Sequence, residues 1–127
     1  MIKYITLIVA SILLTSCATL NFDGNEFNSY ITIKEISESS IGVCGTPAVK
    51  TQVQDLRRIM NHQLLYITYR EGSDTLFAHS ASALNVVIVG LADRYDGKIA
   101  PSTIYCEEKL KNIALGATQL ARVLGRL

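Results

Sequence analysis

The sequence predicts an all-α protein, a small up-and-down bundle of three or four helices held by one disulfide. Three observations lead there. Apolar residues recur at helical 3–4 spacing over residues 47–70 and 102–126, and residues 74–95 are apolar or small nearly all round. Glycines near positions 45, 72 and 97 punctuate the pattern. The joints near residues 72 and 97 are short, which makes neighbouring helices antiparallel. A chain of 127 residues, 49% of them hydrophobic, is long enough for one packed domain and too short for two.

The first sixteen residues read as a signal peptide. Met1-Ile2-Lys3 is a short positive segment, and Tyr4 to Leu14 (YITLIVASILL) is an apolar run of 11 residues. That run falls well short of the roughly 20 residues a membrane-spanning helix needs. Leu14-Thr15-Ser16-Cys17 follows, with small residues before a cleavage point and a thiol after it. These residues resemble the lipobox of bacterial lipoproteins. The resemblance covers the leader only. It implies cleavage before Cys17, acyl chains such as palmitate on that cysteine, and membrane attachment through the lipid. Each buried CH₂ of such chains contributes about 0.8 kcal/mol, so several chains anchor durably. In that family an Asp just after the cysteine retains the protein at the inner membrane. Here the position is Ala18, so the resemblance implies an outer-membrane destination facing the periplasm.

Residues 17–26 read as the lipidated cysteine and a short polar linker, and residues 27–127 as the helical domain. Nine linker residues reach only about 30 Å when extended, which keeps the domain close to the membrane. The segment Phe27 to Ile41 is ambiguous. Its Tyr30-Ile31-Thr32-Ile33 run has strand-like residues, and as a helix its apolar face is ragged. A lone strand among helices has no partner, so helix is the expectation, with strand as the alternative.

The clear helices begin at about Pro47. Thr46 suits the cap, Pro47 suits the first helical position, and the core stripe is Val49, Val53, Leu56, Met60, Leu64 and Ile67. Gly72 ends that helix. Ser73 then suits the cap of the next, which runs to about Tyr95 without a charged residue from Thr75 to Ala92. An all-round apolar helix of this kind is expected at the centre of a bundle. The last helix, about Ser102 to Arg126, carries Cys106, Leu110, Ile113, Ala117, Leu120 and Leu124 on one stripe. Glu108, Lys111, Arg122 and Arg126 lie opposite, and Glu107 and Lys111 stand in the favourable i,i+4 order.

With Cys17 assigned to lipid, Cys44 and Cys106 remain. Two antiparallel reversals place the starts of their helices at the same end of the bundle. An exported compartment is oxidising, so a Cys44–Cys106 disulfide is expected.

Charge and chemistry narrow the function classes. The whole chain carries 12 Lys+Arg and 11 Asp+Glu; without Lys3 of the leader the count is 11 against 11. That balance speaks against a nucleic-acid partner. His62 and His79 do not converge and have no carboxylate at ligand spacing, so no metal site is expected. The readings are a solvated His62 and a hydrogen-bonded His79. Asp93, Asp96, Glu107 and Glu108 gather near the disulfide end, where solvation and helix capping explain them. No catalytic residue and no cofactor site is assigned: Ser80 and Ser82 lack a nucleophile elbow, and Gly42 and Gly45 lack a phosphate-loop lysine.

One feature exceeds what a core needs. The far side of the Pro47 helix carries Ile59, His62, Leu65, Tyr66 and Tyr69, a candidate interaction surface unless residues 27–41 cover it. Two classes follow. The first is a non-enzymatic binding module that meets an envelope protein, including the exclusion and lysis types carried by phages and plasmids. Outer-membrane spanin subunits are one such type, but they are proline-rich, and this chain has only Pro47 and Pro101. The second is a small envelope enzyme or ligand-binding bundle, with a pocket lined by His79, Asn85 or the carboxylates near residue 93.

Overall fold

The computed structural model describes residues 22–126. The leader and Cys17 lie outside the described residues. Four helices follow one another: α1 Gly24–Ile41, α2 Ala48–Glu71, α3 Leu76–Asp96 and α4 Thr103–Gly125. Each packs on its chain neighbour, and α1 closes the ring against α4 in the most extensive of the four interfaces. The architecture is therefore a four-helix up-and-down bundle, as expected.

Residues 27–41 are helix, and the helix starts three residues earlier, inside the stretch read as linker. The cause is Asp23. Its side chain accepts hydrogen bonds from the backbone amides of Asn25 and Glu26, at 2.8 and 3.3 Å. The ragged face is also explained. The buried positions of α1 are Glu26, Tyr30, Ile33, Ser37 and Ser40, alternating by four and three residues. Ser37 donates to the Ile33 carbonyl at 2.7 Å, so a small polar side chain is buried without an unmet hydrogen bond.

Helix α2 begins at Ala48, and Thr46 does not cap it. The Thr46 hydroxyl donates back to the Val43 carbonyl at 2.8 Å. Gly72 ends α2 as expected, with φ +83°, a conformation that a β-carbon would strain. The cap of α3 is Thr75 and not Ser73: its hydroxyl accepts from the Ala78 amide at 3.0 Å. Ser102 caps α4 through the Tyr105 amide at 3.2 Å.

The core runs the length of the bundle. Val53, Leu56 and Met60 of α2 meet Ile88 and Leu91 of α3 and Leu110, Ile113 and Ala117 of α4, all without exposed surface. Gly116 is part of this packing. A β-carbon there would lie 3.0 Å from Leu84 Cδ1, so the two helices approach closely at that point.

Helix α3 is not central. In a ring of four, no helix is enclosed on all sides, and α3 packs on α2 and α4 only. It is long and apolar enough to cross a membrane by length and composition, yet only 33% of its apolar window is buried. Composition alone does not separate a central helix from one whose apolar outer face is left uncovered.

Candidate functional site

The bundle has two ends, locked by different chemistry. At one end, Cys44 in the α1–α2 loop and Cys106 in the first turn of α4 form a disulfide with a Cα–Cα distance of 5.8 Å. Both residues are buried. Nearby, Arg57 reaches Asp93 at 3.4 Å and Asp96 at 3.5 Å, and Gln54 donates to Asp96 at 3.1 Å. These groups are largely solvated and hold little energy. Asp93 and Asp96 are thus partnered with Arg57. The expected Glu107–Lys111 ion pair is absent among the described residues. Lys109 lies instead on the face of Tyr105, 5.4 Å from the ring centre.

The other end carries α1's start, α2's end, α3's start and α4's end, and is held by a polar network that sequence patterning does not reveal. Glu26 has no exposed side-chain surface and is ion-paired with Arg70. Arg70 also contacts Glu71 at 3.2 Å. Glu71 accepts from the Thr75 hydroxyl at 2.8 Å, and Thr75 caps α3. One chain of contacts therefore joins α1, α2 and α3. Burial raises the Glu26 carboxyl above its usual range. The Arg70 charge opposes that shift, while Glu71 and Asp23 add to it. Beside this network the Tyr66 hydroxyl donates to Asp23, and this bond holds the Asp23 carboxyl below its usual range. Arg70 stacks over the Tyr66 ring at 5.4 Å. Tyr30, one turn along α1 from Glu26, is fully buried, and burial pushes its hydroxyl far above the normal tyrosine range.

The candidate surface on α2 is partly open. Tyr69 is 86% exposed, Leu65 58% and Tyr66 40%, and His62 is also exposed. Ile59 is half-buried and packs on the core. α1 does not cover this strip, although Asp23 at its cap takes the Tyr66 hydroxyl. Around His62 the surface of α2 forms a shallow polar depression of about 370 Å³ with Gln54, Arg57, Arg58, Asn61 and Leu65. His79 is exposed on α3, contrary to the expectation of a flank position with a hydrogen bond. Its position on the helix explains this, because the neighbouring Ala78 and Ala81 take the inward face. Neither His79 nor Asn85 lines either of the two depressions on the described residues. Among the described residues, no group of three His, Cys, Asp or Glu side chains is close enough to hold a metal ion.

An open groove of about 490 Å³ runs between α3 and α4. Ala83, Leu84 and Val87 form one wall, and Gly116, Leu120 and Val123 form the other. Its floor is apolar, with Ser80, Asn112 and Gln119 at the rim. Val86, beside it on α3, is 71% exposed. The signal for this surface was present in the sequence, as the charge-free run from Thr75 to Ala92. A charge-free helical run reads equally as an interior helix, which masks its meaning as surface. No protein family, curated protein or solved structure matches this chain.

Proposed function

We propose that this protein is a lipid-anchored lipoprotein of the cell envelope, attached through Cys17, that acts as a non-enzymatic binding module. The α3–α4 face is the surface it offers to another envelope protein. The observation that carries the binding reading is the exposed face of α3. It is an 18-residue window of high mean hydropathy, only 33% of which is buried, beside an open apolar groove. Covering apolar surface of this kind contributes about 25 cal/mol per Å², and a lone soluble helix face has no reason to forgo that. The lipobox-like Leu14-Thr15-Ser16-Cys17 supplies the anchor, and Ala18 the outer-membrane address. A binding module presents a rigid face, and a disulfide-locked bundle supplies one. An enzyme or ligand-binding bundle draws less support, because the two grooves described are open surfaces and the histidines lie apart on separate helices.

The test has two readouts on the full chain expressed with its leader. Acyl labelling should mark the wild type and vanish in Cys17→Ser, which should accumulate as precursor. A photo-crosslinking side chain at Val86 should give a discrete adduct in membranes, and the same probe at Asp55 on α2 should not. Normal processing of Cys17→Ser removes the anchor. Identical crosslinking from both sites removes the binding face.

A further inference from the structure

We infer that the end of the bundle nearest Cys17 rests on the bilayer, with Tyr69, Tyr66, Leu65 and Leu76 seated in the headgroup boundary. The inference rests on the lipid-anchor reading above and deepens it by assigning the orientation of the domain. Three observations carry it. First, the exposed aromatics are polarised, whereas exposed aliphatic residues occur at both ends, with Ile99 and Ile104 at the other. Phe22, Tyr66 and Tyr69 are the exposed large aromatics among the described residues, and all three lie at this end, together with Leu65, Leu76 and Val123. At 1.5 Å per residue, Leu65 is about 9 Å from the last residue of α2, and Tyr69 about 3 Å. Second, the chain leaves the described structure here. Phe22 is five residues after Cys17, and five extended residues span roughly 17 Å. An acyl-bearing Cys17 therefore holds this end, and not the disulfide end, against the membrane. Third, the carboxylates of Glu26, Glu71 and Asp23 at this end have partners within the protein, although among the described residues Arg70 Nε and the Tyr30 hydroxyl do not. Glu26 and Glu71 share Arg70, Thr75 bonds Glu71, and Asp23 takes the Tyr66 hydroxyl. The exposed charges that remain, Asp74 against Arg122 and Arg126, sit at the periphery of helix ends.

Tyrosine suits a headgroup boundary because its ring is apolar and its hydroxyl stays wet. A protein partner at this end would have to share it with the lipid. The reading also divides the sequence-derived strip on α2. Leu65, Tyr66 and Tyr69 face lipid, while His62 and Ile59 lie higher on the helix.

The chain contains no tryptophan, so single substitutions give clean reporters. Tyr69→Trp at the anchored end, Val86→Trp on the outer face of α3 and Ile104→Trp at the disulfide end each replace a residue at least 71% exposed, so folding is not at stake. The full chain is placed in phosphatidylcholine vesicles containing brominated acyl chains, and emission is read with and without aqueous iodide. Expected for Tyr69→Trp is a blue shift, at least about twofold quenching by bromolipid and protection from iodide, as for side chains seated 5–10 Å into the boundary. Val86→Trp and Ile104→Trp should stay iodide-accessible and unquenched. An iodide-accessible Tyr69→Trp overturns the inference, since a tether alone leaves it wet. Equal quenching of Val86→Trp also overturns it, because the bundle would then lie on its side. The acyl mass on Cys17, measured on the same samples, reports the anchor separately. Its absence would sink the anchor while the depth pattern still decides the orientation.

Discussion

The two ends of the bundle solve one problem with unlike bonds. Both must stop helix termini from splaying. The end distal to Cys17 does it covalently, with Cys44 tied to Cys106 across a separation of 62 residues. The proximal end does it with a buried carboxylate, a shared guanidinium and a threonine that is at once a network member and a helix cap. A covalent lock acts mainly by restricting the unfolded chain, and its thiols no longer titrate. An ionic lock acts in the folded state and fails if any partner is lost. The difference suits the placement of each. On the proposed orientation the distal end stands free and the proximal end adjoins the membrane, where a lock built inside the protein is of use.

The largest break in this comparison comes from the distal end. The pair Cys44→Ser and Cys106→Ser, or reduction of the native chain, should cost about 4 kcal/mol in the chain-entropy picture. For a domain of this size, that lowers Tm on the order of 20 °C. Thermal circular dichroism measures it, and a mass increase of two protons on reduction of the folded chain confirms the bridge. An unshifted mass would remove the distal lock altogether.

Next is Arg70→Ala at the proximal end. Glu26 loses its cation while fully buried, and Glu71 loses the same partner. Breaking a buried pair costs 3–5 kcal/mol, and partial exposure of Arg70 places the loss at about 3. Adding Glu26→Gln to Arg70→Ala should recover part of it, because the stranded charge is gone. A double variant no more stable than Arg70→Ala would mean that packing, and not charge, holds this end.

These two locks were unequally legible. The disulfide followed from helix order, once Cys17 was set aside for lipid and an oxidising compartment expected, since an up-and-down topology dictates which ends meet. So did the number of clear helices and their breaks at Gly72 and Gly97. The ionic lock was invisible because apolar periodicity is blind to it. Glu26 reads as linker, and Ser37 and Ser40 read as interruptions, although all three lie on the buried face of α1. The helix that makes the most extensive interface therefore had the weakest signal. The opposite error occurred in α3, where a strong apolar signal suggested the interior, but a four-membered ring leaves its outer face in the open.

The helix caps sharpen the same lesson at a smaller scale. Thr75→Ala removes the acceptor for the Ala78 amide and also the donor to Glu71. A lost cap costs about 1 kcal/mol. Ser73→Ala, at the position that sequence pattern favours, should change stability by less than about 0.5 kcal/mol because its side chain is exposed. Chemical denaturation of the two variants separates them. Equal losses would place the cap at Ser73.

The smallest expected effect is a dependence on pH confined to the proximal lock. Burial raises the folded-state value of Glu26 above the ordinary 4.5. Its contribution to stability is therefore fully present below that ordinary value and is lost as pH rises through the raised one. Asp23 runs the other way. Tyr66 lowers its folded value below the ordinary 3.8, so its contribution is present above 3.8 and is lost as pH falls through the lowered one. Asp23 is well solvated, so its share is slight. The two contributions coincide in a mildly acidic window. Tm of the wild type, followed from about pH 7 down to about pH 4, should rise relative to that of Glu26→Gln, which has no carboxyl to protonate. The disulfide does not titrate, so the serine pair at positions 44 and 106 should lower both curves without changing the gap between them. A gap between wild type and Glu26→Gln that stays constant with pH would mean that Arg70 cancels burial and leaves the folded value of Glu26 at the ordinary one. A gap that moves the opposite way as pH falls would mean that Arg70 outweighs burial, and the proximal end would then be an ion pair that acid breaks, unlike the disulfide opposite it.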